Sequence, residues 1–226
     1  CELHYWLNTE KDKHRQQLEP VTDVNQAIQA VPALLAEWGY EEFDVIGHRV
    51  VHGGEQFSAP TCIDNNTLPL IEAASALAPL HNPDNLAGIY LGLQVWPDKS
   101  QFAVFDTAFH HTIPDVAFSY AIPERWRKQG VRRYGFHGTS HHYVALRTAE
   151  AMNRPLNELR VISCHLGNGA SVCAIEQGLS VDTSMGMTPL EGLVMGTRSG
   201  DIDPGIIGYL SRQTGCGSIE FEPETD

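Results

Sequence analysis

What the chain lacks narrows its function first. No stretch approaches 18 uncharged apolar residues, so no membrane-spanning helix is expected. The five cysteines, Cys1, Cys62, Cys164, Cys173 and Cys216, are odd in number and widely spaced, with no C-x-x-C pair. That pattern argues against a disulfide framework or a zinc ribbon and fits a reducing cytoplasm. Basic residues are scarce: 15 Lys and Arg stand against 28 Asp and Glu, a formal charge of -13. A long positive groove for nucleic acid or anionic lipid is therefore not expected, and an anionic substrate must be held by a few local cations. Internal repeats, low-complexity runs and a signal-peptide pattern are all missing, and the chain opens on Cys1 rather than Met, as an internal piece of a larger protein would.

What is present is an ordinary globular composition. The 226 residues, 42% apolar and 19% charged, bound the chain to one large or two modest domains. Alternation over residues 2–7 predicts a strand, followed by a polar turn over 8–17. Asp23 is placed to cap a helix through Ala27, Ile28, Val31, Leu34, Leu35 and Trp38 that stops at Gly39, and Pro32 predicts a kink or break inside it. A short apolar strand over 43–46 feeds Gly47-His48-Arg49-Val50-Val51-His52-Gly53-Gly54. Helices are expected over 68–78 and from Asn82-Pro83, with Asn as the cap and Pro first in the helix. Residues 101–105 read as a strand ending at Asp106, and Thr139 or Ser140 can cap a helix over 141–152. Strands over 160–164 and 170–176 flank His165-Leu166-Gly167-Asn168-Gly169, and a further strand over 179–182 follows a turn at Gln177-Gly178. The class is α/β, with hairpins in the second half and a boundary near residues 106–114.

Chemistry concentrates in a few loops. Gly167-Asn168-Gly169 is a tight hairpin of residues that tolerate positive φ, and its bare amides could also approach phosphate oxygens. Taken alone, such a turn is more often an ordinary hairpin. The glycine spacing of a Rossmann fingerprint and the Lys of a P-loop are both absent. Arg49 ends a strand with no acidic neighbour before Glu55, and Arg198 sits in the Gly-flanked loop Met195-Gly196-Thr197-Arg198-Ser199-Gly200. Each could pair with a distant carboxylate; together they would make a clamp for a phosphoryl group. His137 and His141 are four apart, but the helix start between them and the missing H-E-x-x-H glutamate count against zinc. His137 is better placed to donate to an anion, and the remaining histidines read as structural. Asp106, at a strand end, suits either Mg²⁺ or a turn.

The order of these stretches resembles the acetate kinase family, within the superfamily of sugar kinases, heat-shock ATPases and actin. The matching runs are residues 46–54, Ala78-Pro79-Leu80-His81-Asn82-Pro83, residues 103–110, Arg132-Arg133-Tyr134-Gly135-Phe136-His137-Gly138-Thr139-Ser140-His141, residues 165–169, and residues 181–192 continuing to Asp203-Pro204. The resemblance covers about residues 43–215. It implies an actin-like/sugar-kinase (ASKHA) two-domain α/β fold with mixed sheets flanked by helices. Residues 1–109 would be the rest of a first, acyl-substrate domain, and 110–226 the opening of a second, nucleotide domain.

Site roles also follow from the resemblance. Arg49 and Arg198 would bind carboxylate and phosphoryl groups, His137 would stabilise the transferring phosphoryl, and Asp106 would be the catalytic aspartate. His165, Leu166, Gly167, Asn168 and Gly169 would cradle the phosphates of ATP. Val51, Leu80, Phe136 and Pro189 would hold the acyl methyl group, with His81 beside them. Mg²⁺ or Mn²⁺ would accompany ATP or ADP, acetate or acetyl phosphate would be the other substrate, and a homodimer is expected of the family. The family's Asn-x-Gly-Ser-Ser-Ser-x-Lys loop, its Gly-Gly-Ile-Gly-Glu-Asn segment and its late Mg²⁺ glutamate find no match here, and from about Gly217 the tail departs from the pattern. An internal fragment is therefore expected, with no certain metal ligand of its own and little activity. A propionate kinase shares nearly all these motifs; Val51, where Ala would admit another methylene, favours acetate. A non-catalytic phosphate binder and a zinc hydrolase are the readings from other classes.

Overall fold

The computed structural model describes residues 2–5, 14–17, 24–39 and 42–214. Contacts divide the chain into two compact units, residues 1–50 with 60–104, and residues 51–59 with 105–226. The division falls just before Asp106, and the short segment 51–59 goes with the second unit.

In the first unit, β1 (Glu2–Tyr5) pairs antiparallel with β2 (His14–Gln17), Glu2 opposite Gln17. β2 lies inside the stretch expected as a polar turn. Strand pairing is made by backbone groups, so a polar run can join a ladder without an apolar pattern of its own. α1 (Val24–Glu37) passes Pro32 without a break, so of the expected kink or break the break does not occur. The proline forfeits one backbone hydrogen bond, but the helix packs on α3 (Asn82–Val95) and buries Leu34. Asp23, its expected cap, lies outside the described residues, while Gly39 ends it at φ 75°.

β3 (Val45–Val50) extends beyond the expected strand and carries Gly47, His48 and Arg49 in extended backbone. It joins β4 (Thr61–Cys62) and β5 (Ser100–Phe105) in the order β3-β5-β4, with Thr61 opposite Ala103 across an antiparallel pair. α2 (Leu68–Ala73) is prolonged by a 3-10 turn over Ala74–Leu77. α3 is capped at His81, one residue earlier than expected, and Asn82 is its first residue.

The second unit is built on an antiparallel meander, β6 (Arg160–Leu166), β7 (Ala170–Glu176) and β8 (Leu179–Thr183). Leu166 faces Ala170 at the tip of the first hairpin. Gln177 and Gly178 turn the second with φ of 53° and 83°, the left-handed pair a two-residue hairpin requires. α6 (Gly138–Met152) lies on β6, burying Ala145 against Cys173 and Ile175, with Phe109, Leu156 and Val161 around them. Short helices α4 (Asp115–Phe118) and α5 (Glu124–Arg127) precede α6, and α7 (Gly205–Thr214) closes the described chain. Among the described residues no helix is long and apolar enough to cross a membrane.

Candidate functional site in the second unit

The start of α6 differs from expectation, and the difference organises the site. The helix begins at Gly138, and its cap is His137, in left-handed backbone at φ 59° and ψ 21° with no side-chain capping bond. Neither Thr139 nor Ser140 caps it. Instead the Gly138 N–H donates to the Asp106 carbonyl oxygen at 2.8 Å, tying the end of β5 to the helix. A side-chain-bearing residue in this region is strained by roughly 1–3 kcal/mol and is held only where its surroundings insist. Here they do: the His137 ring stacks on His165 with centroids 4.0 Å apart, and its Nδ1 lies 2.9 Å from Ser171 Oγ.

Serine hydroxyls join the histidines into a network that is buried at His110, His141, Ser163, Ser171 and Ser180. Ser171 Oγ also meets His141 Nε2 at 2.8 Å, so His137 and His141, expected to part company at the helix start, converge on one hydroxyl. His141 Nδ1 reaches Ser163 Oγ at 3.0 Å, and His165 Nδ1 reaches Ser140 Oγ at 2.9 Å. His110 Nε2 must donate to the Phe136 carbonyl at 2.9 Å, which leaves its Nδ1 to accept from Ser180 Oγ at 2.8 Å. Burial pushes His110 down to about 4, only partly opposed by the Phe136 carbonyl and the Asp106 charge. Burial likewise takes His141 down to about 4, helped by His110 and His165. Both are neutral at pH 7. Among the described residues no group of three or more His, Cys, Asp or Glu is arranged to hold a metal ion.

The Gly-Asn-Gly hairpin is closed by a Gly167 N–H bond to the Gly169 carbonyl at 3.1 Å, yet none of its three residues takes positive φ. The reason for glycine is close approach. A Cβ on Gly169 would stand 3.2 Å from both terminal nitrogens of Arg198. The guanidinium therefore lies on the hairpin backbone, with Nη1 donating to the Pro189 carbonyl at 3.0 Å, and Gly196 N–H reaches the Asn168 carbonyl at 3.2 Å.

Asp106, His137, His165, the hairpin and Arg198 thus belong to one unit. Asp106 is 2% exposed, beside Thr107, whose Oγ1 accepts from Gly53 N–H at 3.1 Å. The residues expected to hold the acyl substrate, its carboxylate or its methyl group, divide between the units. Arg49 in β3, and Leu80 and His81 at the start of α3, lie in the first; Val51, the buried Phe136 and Pro189 lie in the second. Leu80 is 83% exposed within the chain. Sequence reasoning missed the serines. Ser163, Ser171 and Ser180 are buried, and polar residues at core-facing positions of these strands were the available signal.

Helices packed beside small sheets make this an α/β protein, and its second unit lays a guanidinium on a glycine hairpin beside a stacked imidazole pair. A model described as the Acetokinase family matches residues 2–223, and the chain belongs to that family. It is 62% identical over 177 residues to the acetate kinase of Deinococcus radiodurans, covering 78% of this chain and 44% of the relative. With the acetate kinase of Bacillus subtilis it shares 54% identity over 203 residues, 86% of this chain and 51% of the relative. Among solved structures, Porphyromonas gingivalis acetate kinase matches with a TM-score of 0.81 at 43% identity, covering 90% of this chain and 53% of the other. A propionate kinase from Francisella tularensis matches with 0.86 at 45% identity, covering 95% and 55%. The fold is therefore of the acetate kinase, ASKHA type, and the chain spans about half the length of the curated relatives it matches.

Proposed function

We propose that this chain carries the phosphoryl- and carboxylate-handling residues of an acetate kinase, which transfers the γ-phosphoryl of ATP to acetate and releases ADP and acetyl phosphate. The observation that carries this reading is the contact of Arg198 with the Gly169 backbone, at the hairpin tip where His165 holds the ring of His137. An acetate oxygen bonds to the γ-phosphorus as the bond to the ADP oxygen breaks. The attacking carboxylate is already ionised at pH 7, so no general base is required. The task left to the protein is positioning and neutralising charge on the equatorial oxygens. Arg198 and Arg49 serve as cations and His137 as an N–H donor. The hairpin supplies backbone amides to the nucleotide phosphates. Asp106 would hold the Mg²⁺ or Mn²⁺ that accompanies ATP, together with phosphates and water, and the ion would neutralise phosphate charge. On this reading residues 1–109 belong to an acyl-substrate domain and residues 110–226 to a nucleotide domain, in a cytoplasmic homodimer. Val51, Phe136 and Pro189, all of the second unit, then contact the methyl group.

The test is hydroxamate trapping of acetyl phosphate with acetate and with propionate. Acetate should be preferred only partially, since one methylene is worth about 1–3 kcal/mol. Arg198→Ala should lower kcat by about 10²–10³, equivalent to roughly 3–4 kcal/mol. Lys there should restore only part, lacking the planar fork. Near-normal turnover by Arg198→Ala at saturating substrates removes Arg198 from the clamp. A second reading, a phosphate binder without turnover, is favoured by the half-length coverage; ATP binding without acyl phosphate formation would select it.

A further inference from the structure

Residues 184–198 contain no helix or strand, yet they carry Pro189 and Arg198. Backbone bonds tie the run at Ser184, Gly186 and Gly196, and side chains hold it between these points, Arg133 with four bonds. Its Nη1 donates to three successive carbonyls, Thr183 at 2.9 Å, Ser184 at 3.1 Å and Met185 at 3.0 Å. Its Nη2 pairs with Glu191 Oε1 at 2.6 Å. The other carboxylate oxygen of Glu191 accepts from the Tyr120 hydroxyl, whose oxygen accepts the Met187 N–H at 3.0 Å. Between them, the Gly186 carbonyl accepts from both Tyr134 and Gly135 N–H at 3.1 Å. Two paths leave this knot. Gly135 leads through Phe136 to His137, and Met187 leads to Pro189, whose carbonyl holds Arg198.

We propose that Arg133, Glu191 and Tyr120 are positioning residues that hold the 184–192 loop so that the Pro189 carbonyl sets the Arg198 guanidinium against Gly169. The catalytic consequence rests on the kinase reading above; the geometry does not. With side chains 17% and 36% exposed, Arg133 and Glu191 are partly desolvated. A hydrophobic pair could replace the stability of such an ion pair but not its direction. Burial, followed by the Glu191 hydrogen bond, pushes Tyr120 up to about 12, so its hydroxyl stays a donor at any working pH.

The test combines amide hydrogen exchange with steady-state kinetics on the 226-residue chain and its Glu191→Ala, Glu191→Gln and Arg133→Lys variants. Glu191→Ala should speed exchange across residues 185–198 while β6–β8 keep their protection. It should lower kcat up to about 10²-fold, the size of effect a misplacement near 1 Å produces, and raise KM for acetate less, through the displaced Pro189. Glu191→Gln keeps an acceptor for Arg133 and should recover part of both losses; Arg133→Lys, without the fork that spans carbonyls and carboxylate, should recover less. Unchanged exchange over 185–198 in Glu191→Ala overturns the proposal. So does uniform loosening of the second unit with Gln no better than Ala, which marks a purely structural pair. If the unsubstituted chain forms no acyl phosphate, the kinase reading fails for it, and exchange alone still decides whether these side chains hold the loop.

Discussion

Three fully buried imidazoles, His52, His110 and His141, lie within the second unit. Burial takes His52 down to about 4, as it does the other two. The unfolded chain binds these protons near pH 6.5 and the folded chain only near 4. The unfolded state therefore holds more protons between those limits, and stability rises with pH there. Stability from these groups is complete above about pH 6.5 and is lost as pH falls toward about 4. Urea midpoints between pH 5 and 6.5, above most carboxylate titrations, isolate the effect. His110→Gln should lower the midpoint at pH 7 and flatten its slope across that window, because one buried proton site is gone. An unchanged slope would place the pH sensitivity elsewhere. Residue types were legible here and their reasons only partly so. Arg198 and Gly169 stand out in the sequence, but the glycine is required by the guanidinium 3.2 Å from its missing Cβ, not by positive φ. A close approach between residues 29 positions apart leaves no local mark.

Helix α6 shows how an element can be legible while its end is not. Its body follows from sequence, as does the β6–β8 meander, whose turns and alternation are local signals. Its start does not, because the backbone closes it: Gly138 N–H donates to the Asp106 carbonyl, and no hydroxyl is involved. The long α1 follows from sequence as well, except that no break falls at Pro32. Proline rules describe an isolated helix, while packing against α3 decides the outcome. The α6 junction is testable. A Cβ on Gly138 would overlap the Asp106 carbonyl oxygen and sit 2.9 Å from Phe109 Cβ. Gly138→Ala should therefore destabilise the chain by roughly 1–3 kcal/mol, as overpacking does, although alanine is the better helix former. It should also displace Asp106 and His137 together. Equilibrium denaturation checks the first effect, and a stability gain would show that the junction relaxes freely. The nuclear magnetic resonance signal of the His137 ring, now stacked on His165, reports the second.

At the scale of the whole chain, the order of motifs along the sequence was legible enough to place the family, whereas the serine–histidine network and the Arg133–Glu191 pair appear only once distant segments are brought together. Charge is a whole-chain property as well. A formal charge of -13 surrounds a site proposed to bind an anionic nucleotide. The two contributions have different ranges. Repulsion summed over the carboxylates reaches tens of ångströms at low salt, whereas Arg198 acts at hydrogen-bond distance from its partners. Raising ionic strength from about 0.01 M to 0.15 M shortens the screening length from about 30 Å to about 8 Å. That removes most of the long-range repulsion and leaves contact-range attraction largely intact. ATP affinity by calorimetry, and kcat/KM for ATP wherever turnover is observed, should therefore hold or rise over this range. A site fed by a positive funnel behaves oppositely, losing association rate steeply with salt. A steep fall here would mean that the local cations dominate the field well beyond their own contacts, and that the acidic surface is turned away from the nucleotide's path.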